Sequence, residues 1–210
     1  MAESWHRLGP FTVFDLETTG LLPSRDRIIE IGAVRVDTDG TISRFSTLIN
    51  PAGPIPAKAT AVNGITDAMV ADAPFFKETA FRFLEFIGKS RLVTHNARFD
   101  LAFLQESLAR AGMQTLKNGA YDSITLIRKA FPNLPSYRLQ SLRTTLHLPV
   151  PEGDPHRAAF DAELTLSAFS LAMKQLCDLY PMDESGHACN DVPAARDMEF
   201  PLLFCLGRAV

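Results

Sequence analysis

Residues 11–20, FTVFDLETTG, constrain the fold of this chain more than any other stretch. The first four are aromatic or β-branched and a turn signal follows at Thr19-Gly20, a pattern typical of a β-strand. Because side chains alternate between the two faces of a strand, Asp15 and Glu17 share one face. They should stand about 7 Å apart, at a rise of roughly 3.3 Å per residue.

Two carboxylates at the end of an apolar strand are costly unless a positive group lies between them. A hard divalent cation such as Mg²⁺ or Mn²⁺ would meet that need, since these ions take oxygen ligands. Alternatively, Asp15 caps the strand end and Glu17 is simply solvated. The stretch alone does not separate the two interpretations.

The segments that follow predict a sheet. Residues 27–36 are nearly all apolar, as in a strand covered on both faces, and Glu30 within them is expected to be a paired or edge-facing carboxylate. A hairpin turn signal at 37–40 leads into a third strand over 41–50, antiparallel to the second. Residues 91–94 predict a further short strand.

Apolar residues at helical spacing predict helices in the rest of the chain. The clearest stripe includes Leu101 and Leu104, in a helix over residues 97–112. Asp154-Pro155 predicts the start of another helix, which runs to about Cys177. Strands that alternate with helices predict an α/β fold, a mixed sheet with helices on its faces. The other predicted helices cover residues 57–62, 74–87, 121–131 (after one or two strand residues) and 137–146.

Length and charge narrow the class of protein. The 210 residues fit one domain over 1–180 and a tail over 181–210, whose apolar patch at 200–206 is expected to dock on the domain or a partner. The net charge of −3 argues against a broad footprint on duplex nucleic acid, but not against an enzyme that grips a strand end through metal ions. We expect a cytoplasmic protein, because no apolar run approaches a membrane span, no signal peptide is present and the three cysteines lack paired spacing.

Two further acids lie near predicted helix starts. Asp100 falls in the first turn of its helix, where the dipole favours a carboxylate, yet it borders the buried stripe. Asp161 follows His156 by five positions, about 140° around an ideal helix, so the two cannot share a helical face. We expect His156 on the lip before the helix and Asp161 inside, where an acid needs a partner. With Asp15 and Glu17, these acids could hold two Mg²⁺ ions about 4 Å apart, a clamp used for phosphoryl displacement.

Three motifs in order, FDLETTG, HNARFD and H-x4-D, resemble those of the DEDD exonuclease superfamily, histidine subtype. This DnaQ-like group includes the proofreading epsilon subunit of bacterial DNA polymerase III, and the resemblance covers about residues 8–178. It implies a ribonuclease-H-like fold with a central five-stranded mixed sheet. It also implies metal-dependent hydrolysis of nucleic acid from the 3′ end to nucleoside 5′-monophosphates.

The resemblance also implies a role for each of the four acids and for the histidine. Asp15, Glu17 and Asp161 would ligate one Mg²⁺ or Mn²⁺, while Asp15 would bridge to a second ion that Asp100 holds largely through water. His156 would be the general base, and the unperturbed histidine pKa near 6.5 suits that task. The metals would lower the pKa of the attacking water and stabilise charge on the phosphate.

The resemblance also implies contacts with the 3′-terminal nucleotides. This chain has Asn63 in the segment before Gly-Ile-Thr, where many relatives carry a histidine. The difference leaves the catalytic residues unchanged and affects contacts with the substrate near this position. The implied contacts are backbone groups of Thr18, Thr19 and Gly20, packing of Leu21, Leu22 and Phe99 on the terminal bases, and Asn96 near the strand backbone.

The leading hypothesis is a 3′→5′ exonuclease for single-stranded or frayed DNA ends, in proofreading or repair. The same chemistry on RNA is the nearest alternative, since the motifs act on phosphates and do not contact the 2′-OH. A third possibility is a non-catalytic module that binds a polymerase. The sequence leaves open whether a DNA polymerase is a partner, and whether the chain forms oligomers.

Overall fold

The computed structural model describes residues 5–179, so the predictions about the tail and the boundary at 180 lie outside the described residues. Five strands form a single mixed sheet, as predicted: β1 (Phe11–Thr18), β2 (Ile28–Val36), β3 (Ile42–Leu48), β4 (Arg91–Thr94) and β5 (Ala120–Asp122). Their order is β3-β2-β1-β4-β5. β2 is antiparallel to both β1 and β3, whereas β1, β4 and β5 run parallel.

Helices flank this sheet, which confirms the α/β class. The predicted helix at 74–87 begins at Phe76 rather than Pro74, and the other elements except the last begin within two residues of their predicted starts. No helix within residues 5–179 combines the length and apolar character that a membrane crossing requires. The helices are α1 (Ala57–Asn63), α2 (Asp67–Val70), α3 (Phe76–Ile87), α4 (Ala97–Arg110), α5 (Ser123–Ala130), α6 (Leu139–Thr145) and α7 (Ala158–Leu179), after a short 3-10 turn at Trp5–Leu8.

β1 occupies the centre of the sheet and is covered on both faces. Phe11 and Val13 pack in a core cluster with residues of α7. Phe14 and Leu16 pack in a second cluster with residues of α3 and α4. Because faces alternate along a strand, the residues that continue the Phe11–Val13 face toward the end of β1 are directed to the α7 side.

α7 approaches the sheet closely at Gly32 of β2, which pairs with Asp15 across the antiparallel ladder. A Cβ built on Gly32 would lie 2.2 Å from the carbonyl carbon of Ala158 and 2.2 Å from the nitrogen of Ala159. Any side chain at this position would therefore collide with the backbone of α7. The glycine allows the first turn of α7 to lie against the strand pair that carries Asp15.

The predicted start of α7 at Asp154-Pro155 is wrong, because the helix begins at Ala158. His156 has a φ of +62°, which takes the preceding loop out of a helical path. The N–H of Ala158 donates to Glu30 Oε2 at 2.9 Å, so a carboxylate from β2 caps the helix. A cap supplied 128 residues away in the chain leaves no local signal in the sequence.

Candidate active site

Three carboxylates meet where the end of β1 faces the first turn of α7. Asp15 and Glu17 extend from β1 and Asp161 from α7. One oxygen of each lies within 4.8 Å of an oxygen of the other two. The fold therefore adds a distant acid to the pair that the strand pattern singled out. No other group of three such ligands is found among residues 5–179.

Asp100 borders this cluster from another direction. It lies in the first turn of α4 and is only 2% exposed. The hydroxyl of Thr94 donates to its Oδ2 at 2.5 Å. This bond and the backbone of Leu16 act to lower the pKa of Asp100, against the larger effect of burial. Its charge raises the pKa of Asp15, second only to burial, so the two carboxyl groups are electrostatically linked.

Burial makes the ionisation of all four acids costly. It holds the pKa of Asp15 well above the usual range, with the charges of Asp100 and Glu17 adding to the effect. Burial also raises the pKa of Glu17 to about 8 and that of Asp100 to about 7. Within residues 5–179, none of the four forms a salt bridge. Their negative charge is thus not balanced by an ion pair among these residues.

The donor chemistry of the cluster fits a hard divalent cation. All the candidate ligands are carboxylate oxygens, which Mg²⁺ and Mn²⁺ prefer, whereas zinc sites are usually built from cysteine and histidine. A cation between the carboxylates would offset both their mutual repulsion and the cost of their burial. We conclude that Asp15, Glu17 and Asp161 could hold a metal ion.

His156 and Asp161 take the positions expected from their spacing. Asp161 is 8% exposed in the first turn of α7, where Gln140 Nε2 donates to its Oδ1 at 3.2 Å. Burial raises the pKa of Asp161, while the charge and the backbone of His156 act to lower it. His156 itself is exposed, in the loop that precedes α7. The histidine therefore lies on the rim and the acid inside.

Glu30 and Arg157 fix the loop that carries His156. Arg157 donates to Glu30 through Nη2–Oε1 at 2.6 Å and Nε–Oε2 at 3.1 Å, a two-pronged contact that sets geometry as well as charge. The prediction that Glu30 is paired is confirmed. A lone acid in an apolar strand indicated a partner, but spacing in the sequence could not identify Arg157. Thr94 and Gln140, which bond to site carboxylates, likewise gave no sequence signal.

The residues after β1 form a tight turn beside the acids. Thr18 Oγ1 donates to the carbonyl of Gly20 at 2.6 Å. The Thr19 hydroxyl accepts from the N–H of Arg27 at 2.9 Å, while the Thr19 N–H donates to the Arg27 carbonyl at 2.9 Å. The candidate contacts predicted at Thr18, Thr19 and Gly20 are therefore held in one conformation.

Leu21 and Leu22 form the exposed part of this turn. Their side chains are 79% and 52% exposed, so both are accessible to a ligand. Asp26 holds them, because its Oδ2 accepts from the N–H of Leu22 at 2.8 Å. Gly20 is needed for the same contact, since a Cβ there would lie 2.4 Å from Asp26 Oδ2. Asp26 is a further site residue that the sequence did not single out.

Asn96 and Phe99 belong to the turn that carries Asp100. Asn96 adopts a left-handed conformation at the start of α4, with φ +76°, and is exposed. Phe99 is half-buried and packs on Phe103, with ring centroids 4.8 Å apart. Both predicted contact residues thus lie next to the buried acid.

Asn63 lies inside the site. It is 4% exposed, its Oδ1 accepts from the N–H of Ile65 at 3.0 Å, and its side chain interacts with Glu17 in the sense that lowers the pKa of that carboxyl. The residue at which this chain departs from the family pattern therefore acts on a candidate metal ligand.

Comparisons with known proteins agree on the kind of protein. Residues 12–169 match the exonuclease family RNase_T. The DNA polymerase III subunit epsilon of Treponema pallidum is 40% identical over 187 residues, covering 88% of this chain and 84% of that protein. The PolC-type DNA polymerase III of Caldanaerobacter subterraneus is 37% identical over 171 residues, or 81% of this chain but only 12% of that protein.

Solved structures confirm the ribonuclease-H-like fold. Exonuclease X in complex with 5′ overhanging duplex DNA is 28% identical, with a TM-score of 0.61, covering 84% of this chain and 96% of that chain. E. coli exonuclease I in complex with a dT13 oligonucleotide has a TM-score of 0.70 over 80% of this chain and 42% of that chain. Its identity of 20% supports a shared fold.

Proposed function

This chain belongs to the exonuclease family, and on that premise we propose that it releases nucleoside 5′-monophosphates from the 3′ ends of DNA. The junction of four acids, two of them buried and two partly buried, with one histidine carries the proposal. We further propose a role in proofreading or repair, on single-stranded or frayed ends, with a DNA polymerase as a partner. The similarity to the polymerase III epsilon subunit of Treponema pallidum supports that role.

We propose that the site takes two Mg²⁺ or Mn²⁺ ions. Asp15, Glu17 and Asp161 are close enough to share one ion, while Asp100 is linked to the cluster through Asp15. Asp15 and Asp100 would hold the second ion, with Asp100 acting largely through water. When bound, such ions lower the pKa of a water molecule and stabilise charge on a phosphoryl group.

His156 is the proposed general base. The water oxygen forms a new bond to phosphorus and His156 accepts a proton of the water. The bond from phosphorus to the 3′ oxygen of the preceding nucleotide breaks, and that oxygen takes a proton from solvent and leaves as a 3′ hydroxyl. Its exposed place on the rim, next to Asp161, suits exchange of that proton with solvent. The pairing of Arg157 with Glu30 keeps the histidine loop in position.

The remaining residues bind the 3′ end of the DNA strand. Backbone groups of Thr18, Thr19 and Gly20 bind the terminal nucleotide, and Asn96 lies near the strand backbone. Exposed leucine side chains and an aromatic ring pack on bases without regard to sequence, which suits an enzyme that removes any nucleotide. These packing residues are Leu21, Leu22 and Phe99.

Hydrolysis of single strands labelled at either end, in Mg²⁺, Mn²⁺ or EDTA, tests the proposed function. We expect immediate release of a labelled mononucleotide from the 3′ label only, and none in EDTA. Equal or faster cleavage of a matched RNA strand would reject the preference for DNA. A wild-type protein without any metal-dependent cleavage would instead be a binding module.

His156→Gln tests the proposed base. We expect kcat to fall by about 10²–10⁴-fold, the usual contribution of a general base, while binding of a single strand is retained. Single-turnover hydrolysis and fluorescence anisotropy in Ca²⁺ measure the two effects separately. His147→Gln is the matched control, because His147 is also an exposed loop histidine with a positive φ of 51°. Equal kcat for the two variants would contradict the assignment.

A further inference from the structure

A groove of about 660 Å³ lies between the start of α4, the α5 helix and the loop that leads into α6. Two of its lining residues belong to elements that also contribute to the acidic site. Asn96 precedes the helix that carries Asp100. Leu139 precedes Gln140, whose side chain donates a hydrogen bond to Asp161. The same elements therefore border the groove and position two of the acids.

Two guanidinium groups line this groove without an acid to neutralise them. Arg128 and Arg138 are both exposed, and neither takes part in a salt bridge within residues 5–179. The Cζ of Arg128 lies 4.8 Å from the ring centroid of Tyr137. This cation–π contact orients the guanidinium and leaves its charge available to an anion.

The floor of the groove is preformed. His95 is bonded through both ring nitrogens, Nδ1 to the Ser123 hydroxyl at 2.8 Å and Nε2 to the carbonyl of Tyr137 at 2.9 Å. The histidine thereby ties the loop before α6 to the start of α5. The Tyr137 hydroxyl also donates to the carbonyl of Phe131 at 2.9 Å. The loop backbone that carries Tyr137 and Arg138 is therefore fixed, and the ring under the Arg128 guanidinium is held in place.

We propose that this groove binds the nucleic-acid strand on the 5′ side of the scissile phosphate, with Arg128 and Arg138 contacting its phosphodiesters. The inference rests on the proposed 3′→5′ activity. With the terminal nucleotide held by the turn at residues 18–22, the rest of the strand must leave the cluster along an open, polar path. Guanidinium groups suit that path, because their planar fork matches phosphate oxygens.

The double variant Arg128→Gln/Arg138→Gln tests the groove with two substrates. One is an oligothymidylate, and the other is the p-nitrophenyl ester of thymidine 5′-monophosphate, which has no 5′-side strand. We expect the ratio of kcat/KM for the oligomer to that for the ester to fall by about tenfold or more, as for the loss of charged hydrogen bonds. The slope of log Kd against log salt should fall by about 1.4, at about 0.7 for each lost phosphate contact.

Arg82→Gln is the matched control. Arg82 is also exposed and lies over an aromatic ring, 5.9 Å from the centroid of Phe45, but it belongs to α3 on the other side of the sheet. We expect it to leave both the substrate ratio and the salt slope at wild-type values. An equal loss on both substrates, or a double variant that behaves as Arg82→Gln, would overturn the groove proposal.

Direct binding separates this inference from the proposed function. Anisotropy of a labelled oligothymidylate in Ca²⁺ reports binding even in a protein that does not cleave. Cleavage by the wild type with unchanged binding by the double variant would remove the groove and leave the function. Absence of cleavage, with binding that still depends on both arginines, would remove the function and leave a strand-binding groove.

Discussion

Glu17 and Glu30 pair with each other across the β1–β2 ladder, yet among the described residues only Glu30 forms a salt bridge. Glu30 is 3% exposed and accepts hydrogen bonds from Arg157 and from the N–H of Ala158, so its charge is balanced inside the chain. Glu17 has no salt bridge within the described residues, and burial raises its pKa to about 8. Of two neighbouring glutamates, Glu30 therefore stabilises the fold, whereas Glu17 is available to bind a cation.

The difference shows how the fold divides its acids. A carboxylate that holds the architecture is paired with a guanidinium and a helix N-terminus, both of which stabilise its charge. The carboxylates of the proposed metal site repel one another when ionised, and either protonation or an added cation relieves that repulsion. Stability is thus lowered at the site, and Glu30 with Arg157 holds the adjoining loop in place.

Asp161→Asn removes a carboxylate of the proposed metal site, the same site as Glu17, and should change hydrolysis more than any other substitution below. Hydrolysis should fall by about 10³-fold or more, because a metal site supplies several kcal/mol of transition-state stabilisation. The melting temperature in EDTA should be unchanged or higher, since a repulsive charge is removed. Asp37→Asn, which breaks the Arg35 pair at the other end of β2, is the control and should leave hydrolysis at the wild-type rate. Loss of stability with retained activity would contradict the division.

Gly32→Ala should lower both the stability of the fold and the rate of hydrolysis. The added Cβ would lie 2.2 Å from α7 backbone atoms, so the helix that carries Asp161 must move. We expect a loss of about 3 kcal/mol in the free energy of unfolding, the upper part of the range for overpacking, with a parallel loss of hydrolysis. Gly53→Ala is the matched control, since nothing lies within 4 Å of its Cβ position. Urea unfolding of the two variants should differ, and equal values would refute the close approach.

Glu30→Gln should act on stability first. It weakens the charged hydrogen bonds from Arg157 and from the α7 N-terminus, at an expected cost of about 2 kcal/mol in the free energy of unfolding. Glu17→Gln, the same change across the ladder, should leave metal-free stability unchanged or raised at pH 8. Urea unfolding in EDTA measures both. The comparison fails if the two substitutions shift stability in the same direction.

The smallest expected effect is a pH dependence of the metal-free protein. The pKa of Glu17 rises from 4.5 to about 8 on folding, so between these values the folded state binds more protons than the unfolded state. Stability contributed by this group is therefore fully present below about pH 4.5 and decreases as pH rises toward about 8. Because each pH unit in this window changes the free energy of unfolding by at most about 1.4 kcal/mol, melting temperatures in EDTA should fall by a few degrees per pH unit. Glu17→Gln should flatten the profile, and an identical profile in the variant would exclude Glu17 as its source.

Local signals were sufficient for most elements and for the identity of the acids. The alternation of Phe11 to Glu17 predicted that Asp15 and Glu17 share a face, and the start of β1 packs on that face as expected. The predicted start of α7 is wrong because its cap comes from Glu30 rather than from a nearby residue. Local patterns do not identify Asp26, Gln140 and Thr94, since a polar residue carries no sequence mark of a partner that is distant in the chain.

Local sequence patterns identify the residues that can carry charge, the segments that become strands and helices, and three ordered motifs that resemble those of an exonuclease. Folding brings the acids together, and within residues 5–179 it pairs Glu30 but not Glu17 with a cation. It also requires that Gly32 lack a side chain. The two differ because they depend on interactions over different separations along the chain. Periodicity and turn chemistry act over a few residues, whereas the pKa of a carboxyl group depends on burial and on charges brought close by folding.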